Sequence, residues 1–313
     1  MRLENGKDVL YTNQAITEYI KQLLADPMID YGYHRMTSEL NLAGFFINHK
    51  KVYRLMKEGL LLNRKREQSA KNYVKYRILA PEGPLRLLEI DIKQIWLEKD
   101  RRYGYILTVI DVFTRVVLYW DVGYHMTQEA VQEAFARILE DCFEPAGMYG
   151  WEIDIEIRND NGPQFAAKKL RKFLKDNYLV QTFTHPYTPQ ENGHIESFHA
   201  ILGQKADRVV FETLLDLENW LIEFYSFYNY RRIHGSICLL PPMTFWEQWN
   251  LGNVDRIMID EKKRKVKFRL TKAKQKIEKT WPSGKVNLRE VSSLKFGGSM
   301  PPNLKSKQLA ETS

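Results

Sequence analysis

Three stretches rich in β-branched and aromatic residues, at positions 87–96, 103–113 and 116–122, follow one another with only short turns between them. Turns of that length leave room for antiparallel neighbours alone, since a parallel connection needs a dozen residues or more. The rhythm then changes. Thr127 is placed to cap a helix in which Val131, Ala134, Phe135, Ile138, Leu139 and Cys142 recur at i+3 and i+4. Residues 152–158 alternate as a fourth strand, Pro163 opens a helix carrying Phe173 and Leu174 on its later turns, and residues 179–184 form a fifth strand. Helices over about 191–208 and 213–229 follow. The order β-β-β-α-β-α-β-α requires an α/β fold with a mixed five-stranded sheet covered by helices.

On either side of this region the chain reads differently. Residues 1–63 are helical: Thr12 or Asn13 caps a helix ending near Ala25 before Asp26-Pro27, a second helix starts near Thr37 and ends at Gly44, and Asn48 caps a third that ends at Gly59. On the third, Val52, Leu55 and Met56 share one face while Lys50, Arg54 and Lys57 line the other, the layout of a helix-turn-helix recognition helix with its cations toward DNA phosphates. Residues 64–85, from Arg64-Lys65-Arg66 to Pro81 and Pro84, read as a basic linker; residues 86–250 are the αβ core, closed by 244–249. In the basic segment 251–313, Lys265-Val266-Lys267-Phe268-Arg269-Leu270 alternates strictly, so a small β segment with one cationic face is expected, and the last dozen residues are expected to be disordered.

Charge follows the same partition. Lys and Arg outnumber Asp and Glu by 14 to 9 in residues 1–85 and by 16 to 6 in residues 250–313, but are outnumbered 17 to 24 in between. Two basic flanks around an acidic centre suit a chain that grips a polyanion and acts on it. No apolar run is long enough for a membrane span, residues 1–10 lack the apolar stretch of a secretory signal, and Cys142 and Cys238 are too few for a disulfide framework or a cysteine zinc site. A cytoplasmic address, nucleoid-associated when DNA is bound, is the expectation.

Three acids stand at telling places. Asp91 lies mid-strand in the first strand, Asp160 follows the fourth in Asn159-Asp160-Asn161-Gly162, and Glu196 is on the helix after the fifth. The element order is similar to that of ribonuclease-H-like nucleic-acid enzymes, in which the first and fourth strands are commonly neighbours. Gathered carboxylates repel and raise one another's pKa unless cations neutralise them, and all-oxygen ligation favours two Mg²⁺ or Mn²⁺ ions. Such a pair activates a water or a 3′-hydroxyl for in-line attack on a phosphodiester.

The stretches Asp160-Asn161-Gly162-Pro163-Gln164-Phe165 and Thr188-Pro189-Gln190-Glu191-Asn192-Gly193-His194-Ile195-Glu196-Ser197-Phe198 resemble the second and third acidic motifs of the DDE recombinases, nearest to insertion-sequence transposases with a retroviral-integrase-like core. Leu88-Glu89-Ile90-Asp91-Ile92-Lys93 resembles the first. The run from Tyr31-Gly32-Tyr33-His34-Arg35-Met36-Thr37 to Lys51-Val52-Tyr53-Arg54-Leu55-Met56 resembles the preceding helix-turn-helix, and Tyr228-Asn229-Tyr230-Arg231-Arg232-Ile233-His234 with Pro241-Pro242 resembles the C-terminal signature. The resemblance, over about residues 30–250, implies Asp91, Asp160 and Glu196 as catalytic metal ligands. It also implies cleavage and strand transfer at element ends, a homo-oligomer on double-stranded DNA, and an upstream-frame DNA-binding subunit for which this chain would be the downstream half. One departure is that many relatives carry a lysine seven residues after the glutamate, where this chain has Gly203; Lys205 faces nearly the opposite way.

Asn161, His199, Arg231 and Arg232 are further candidates for DNA contact, with salt bridges into the acidic core as the alternative for the arginines and packing as the alternative for His199. His185-Pro186 is given a minor DNA-facing role. Glu89 is assigned a supporting or surface role, Asp111 a turn made with Thr114 and Arg115, and the stripe Leu214, Leu217, Leu221, Phe224 and Tyr228 a place in the core or a dimer. Two other functions fit the same pattern: a DNA-binding regulator without turnover, and a ribonuclease-H-like nuclease without strand transfer.

Overall fold

The computed structural model describes residues 2–4, 7–62, 80–148, 155–184, 192–260 and 265–277. In chain order its elements are β1 (Arg2–Glu4), β2 (Lys7–Val9), α1 (Asn13–Leu24), α2 (Tyr33–Leu42), α3 (His49–Glu58), β3 (Leu87–Leu97), β4 (Arg102–Asp111), β5 (Val117–Gly123) and α4 (Gln128–Ile138). There follow β6 (Ile155–Asn159), α5 (Pro163–Ala166), α6 (Lys168–Asp176), β7 (Leu179–Phe183), α7 (Gly193–Ala206), α8 (Leu214–Ser226), α9 (Pro242–Asn250), β8 (Val254–Asp260) and β9 (Lys265–Leu270). Helices α4 and α8 each run on into a π-helical turn, at Leu139–Phe143 and Phe227–Arg231. The described residues fall into two compact units, one made of 80–229 and the other of those up to 62 together with 230–277.

The first unit is the expected mixed sheet, in the order β5-β4-β3-β6-β7. Strands β3, β4 and β5 form the antiparallel meander, and β6 and β7 join it in parallel. Asp111 secures the turn between β4 and β5: its buried carboxylate accepts from the N–H and hydroxyl of Thr114 and from the N–H of Leu85, while the Arg115 guanidinium donates to the Val112 carbonyl. Asn229 finishes β5 as a strand would, giving and taking a 2.9 Å bond with the backbone of Val117.

Register decides which residues share a face. Asp91 pairs with Thr108, and Thr108 with Trp120. On that face Tyr225 of α8 stacks on Trp120, centroids 4.8 Å apart, and its hydroxyl lies 2.6 Å from that of Thr108. Because side chains alternate along a strand, Glu89, Asp91 and Lys93 all project to the face that α7 and α8 cover.

In the second unit α1 is capped by Thr12 and α3 by Asn48, as expected. Helix α2 begins at Tyr33 rather than near Thr37, because the Thr37 hydroxyl is spent inside the helix on the Tyr33 carbonyl. Val52, Leu55 and Met56 are buried between helices. The segment after residue 229 folds onto these helices: the buried Tyr31 hydroxyl donates to the Arg231 carbonyl and accepts from Ile233 N–H, and Lys274 donates to Ser38 Oγ and the Leu239 carbonyl. Strand β9 pairs with β8, presenting Lys265, Lys267 and Arg269 outward. The linker 64–79, residues 152–154 of the expected fourth strand and the tail from 278 lie outside the described residues.

Candidate active site

The site is built where two parallel strands part. Asp91 and Asp160 each stand two residues past the last register pair of β3 with β6, Glu89 opposite Arg158, and so leave the sheet at the same level on strands about 4.8 Å apart. Asp160 is held in a tight turn, its Oδ1 accepting the Gly162 N–H at 3.0 Å. A Cβ on Gly162 would stand 2.5 Å from the Gln164 amide nitrogen and 3.0 Å from that oxygen, so a larger residue would push both side chains aside. Below it, buried Asn159 donates to the Asp160 carbonyl and accepts from Gln181.

Glu196 arrives on α7, and the way α7 is started fixes its place. Asn192 makes no side-chain cap. The acceptor comes instead from β3: the carboxylate of Glu89, which is 1% exposed, takes the N–H of His194 at 3.0 Å and of Ile195 at 2.8 Å, with His194 Nδ1 at 2.9 Å. Two further rungs follow. His199 Nδ1 lies 3.3 Å from Asp91 Oδ2, and Lys93 packs on Gly203. Two residues of strand advance about 6.7 Å and four or five of helix about 6–7.5 Å, so α7 runs beside β3 in step with it.

The electrostatics follow from this convergence. Burial, then the charge of Asp91, holds the Asp160 carboxyl above the ordinary carboxylate range; burial, then Asp91, then Glu89 does the same for Glu196. Among the described residues no three His, Cys, Asp or Glu side chains already form a metal cage. Asp91 is turned to its own Ile92 N–H, at 2.7 Å, and to His199, and Asp160 to Gly162. The donors are nevertheless carboxylate oxygens, and the charge of Asp91 raises the pKa of the other two. Such a set fits a hard divalent cation better than zinc.

The integrase core domain matches residues 81–189 and, as a second description of the same name, 179–242; an HTH-like domain matches 12–68. The chain thus carries an integrase core domain preceded by an HTH-like domain. It is similar to a protein of insertion element IS407 from Burkholderia multivorans, 26% identical over 69% of this chain and 75% of that one. It is similar too to InsK of insertion sequence IS150 from Escherichia coli, 24% identical over 72% and 80%, and to the IS904 transposase of Lactococcus lactis, 23% identical over 76% and 95%.

The other expected contacts of this integrase-core chain divide by surroundings. In its HTH-like domain Lys50, Arg54 and Lys57 are exposed, although Arg54 also has Glu58 at 3.8 Å, one turn on. Asn161 is exposed beside Asp160 and donates to the Thr184 carbonyl. His199 is buried, with no hydrogen-bond partner at Nε2. Arg231 pairs with Asp26 at 2.9 Å, and Arg232, 3% exposed, with Asp30 at 3.2 Å. Lys205 is buried as well. His185-Pro186 lies outside the described residues. Of the two roles expected for Glu89, buried support at the start of α7 and not a surface place is the one it takes; its sequence signal is the two-residue offset from Asp91, which puts both on one strand face.

Proposed function

We propose that this chain is a transposase that cleaves DNA strands at the ends of an insertion sequence and joins them to a target, with Asp91, Asp160 and Glu196 holding two Mg²⁺ or Mn²⁺ ions. The observation that carries this reading is the matched departure of Asp91 and Asp160 from β3 and β6, with Glu196 coupled to Asp91 across from them. When bound, the ions supply an activated water or 3′-hydroxyl and charge to offset the departing oxygen, so no protein nucleophile is needed.

The chain's own residues set the geometry. Glu89 anchors the first turn of α7 and so places Glu196, the turn at Gly162 places Asp160, and His199 steadies Asp91 from the adjacent helix turn. Exposed Lys50, Arg54 and Lys57 on α3 meet phosphates and position the duplex without reading its sequence. No described helix is long and apolar enough to cross a membrane. The reading includes duplex DNA at element ends and target, a second copy of the chain to hold two ends together, and an upstream-frame DNA-binding subunit.

The test is Mg²⁺-dependent nicking of a duplex carrying an element end, by the full chain and by Asp160→Asn and Glu196→Gln. Loss of nicking in both variants is expected; unchanged nicking rejects the assignment. Supplying a preformed 3′-hydroxyl end separates strand transfer from simple nuclease action, which yields no joined product.

A further inference from the structure

Lys93 occupies a place that the reading above does not use. It is the third rung between β3 and α7, on the strand face of Glu89 and Asp91. Its stem crosses to Gly203: a Cβ built there would lie 3.3 Å from Lys93 Nζ and 3.4 Å from Cε. Gly203 is seven residues from Glu196, two turns along the same helix face. With no side chain at Gly203, a cation from the strand rests directly on the face that carries Glu196. Lys93 makes no hydrogen bond or ion pair with another described residue, and it lines a surface groove of about 290 Å³ walled by Trp96, Val210 and Phe211.

A half-buried ammonium with its methylenes packed and no ion-pair partner among the described residues has its charge available to a ligand. We propose that Lys93 binds a non-bridging oxygen of a DNA phosphate flanking the one that reacts, so that strand β3 supplies both an acid of the site and the cation that seats the strand beside it. This rests on the transposase reading, which places DNA at Asp91 and Glu196. A point charge of this kind fixes the register of the backbone and carries no base preference.

The experiment uses the full chain and an end-containing duplex. Lys93→Met keeps the packed stem and removes the charge; Lys93→Thr with Gly203→Lys moves the ammonium from strand to helix. Binding is followed against salt, together with joining of a preformed 3′-hydroxyl end. The expected result for Lys93→Met is a salt slope shallower by about 0.9, the value for one lost phosphate contact. Affinity should fall roughly tenfold, as for one charge-assisted bond, and the double variant should regain both. A neutral methylphosphonate at the contacted position should weaken the wild type and leave Lys93→Met unchanged. An unaltered slope in Lys93→Met, or a methylphosphonate scan with no position insensitive to the mutation, overturns the inference. Nicking by the wild-type chain is scored separately: its absence sinks the transposase reading, whereas the slope reports on Lys93 whether or not the chain nicks.

Discussion

Replacing Glu89 by alanine removes the acceptor on which the glutamate helix begins. Two backbone N–H groups, of His194 and Ile195, and the His194 ring lose their partner inside the fold. Hydrogen bonds to a charged acceptor contribute about 1.5–3 kcal/mol each, but the carboxylate's own burial cost and its repulsion of Glu196 vanish with it. The balance expected is about 3 kcal/mol, near the low end for breaking a buried charged pair. For a unit of this size that lowers Tm by roughly 6–12 °C. The first turn of α7 also loosens two residues before Glu196, and a displacement of about 1 Å at a reacting group costs on the order of a hundredfold in rate. Glu89→Gln keeps one carbonyl acceptor and should fall between the two. Urea unfolding followed by tryptophan fluorescence, with nicking measured where the variant is fully folded, checks both halves. A Glu89→Ala chain as stable as the wild type refutes the capping argument; one that is destabilised yet nicks at full rate refutes the claim that the cap places Glu196.

Asp160→Asn and Glu196→Gln should raise Tm in metal-free buffer while abolishing nicking, because burial and the charge of Asp91 penalise their ionised forms; a lower Tm in both would contradict this. Arg232→Ala should cost the helical unit about 1.5–3 kcal/mol, because it removes a charge-assisted bond to Asp30, as chemical denaturation will report. Lys274, half-buried against Ser38 and Leu239, has its pKa pushed down to about 8 by that burial. The folded form thus binds fewer protons than the unfolded one between that value and the ordinary lysine range, so stability should rise with pH across this window. Comparing Tm from pH 7 to 10 in wild type and Lys274→Met isolates the effect, and parallel curves would exclude it.

What the sequence disclosed was local. Asn48 and Gly59 bracket α3 as a cap and a stop should, and runs of β-branched and aromatic residues outlined β3, β4 and β5 to within two residues. The acids could be placed on their elements because an acid inside an apolar strand or just past one stands out. What stayed hidden depends on partners remote in the chain. Glu89 meets His194 across 105 positions, and Arg231 and Arg232 meet Asp26 and Asp30 across 205 and 202. Spacing arguments reach about two turns of helix and no further. Strand β8 was missed because Val-Asp-Arg-Ile-Met-Ile-Asp has no period-two pattern, its exposed Ile257, Met258 and Ile259 following one another. Lys93 could not be linked to Gly203 without knowing that α7 advances in step with β3.

The most direct measurement is an anomalous difference map from crystals of the full chain soaked in Mn²⁺. A peak within about 2.2 Å of carboxylate oxygens from Asp91 and from Asp160 or Glu196 is predicted, with Asp91 swung away from His199 to reach it. Full occupancy of Mn²⁺ elsewhere, with these three side chains unmoved and unliganded, would contradict the account.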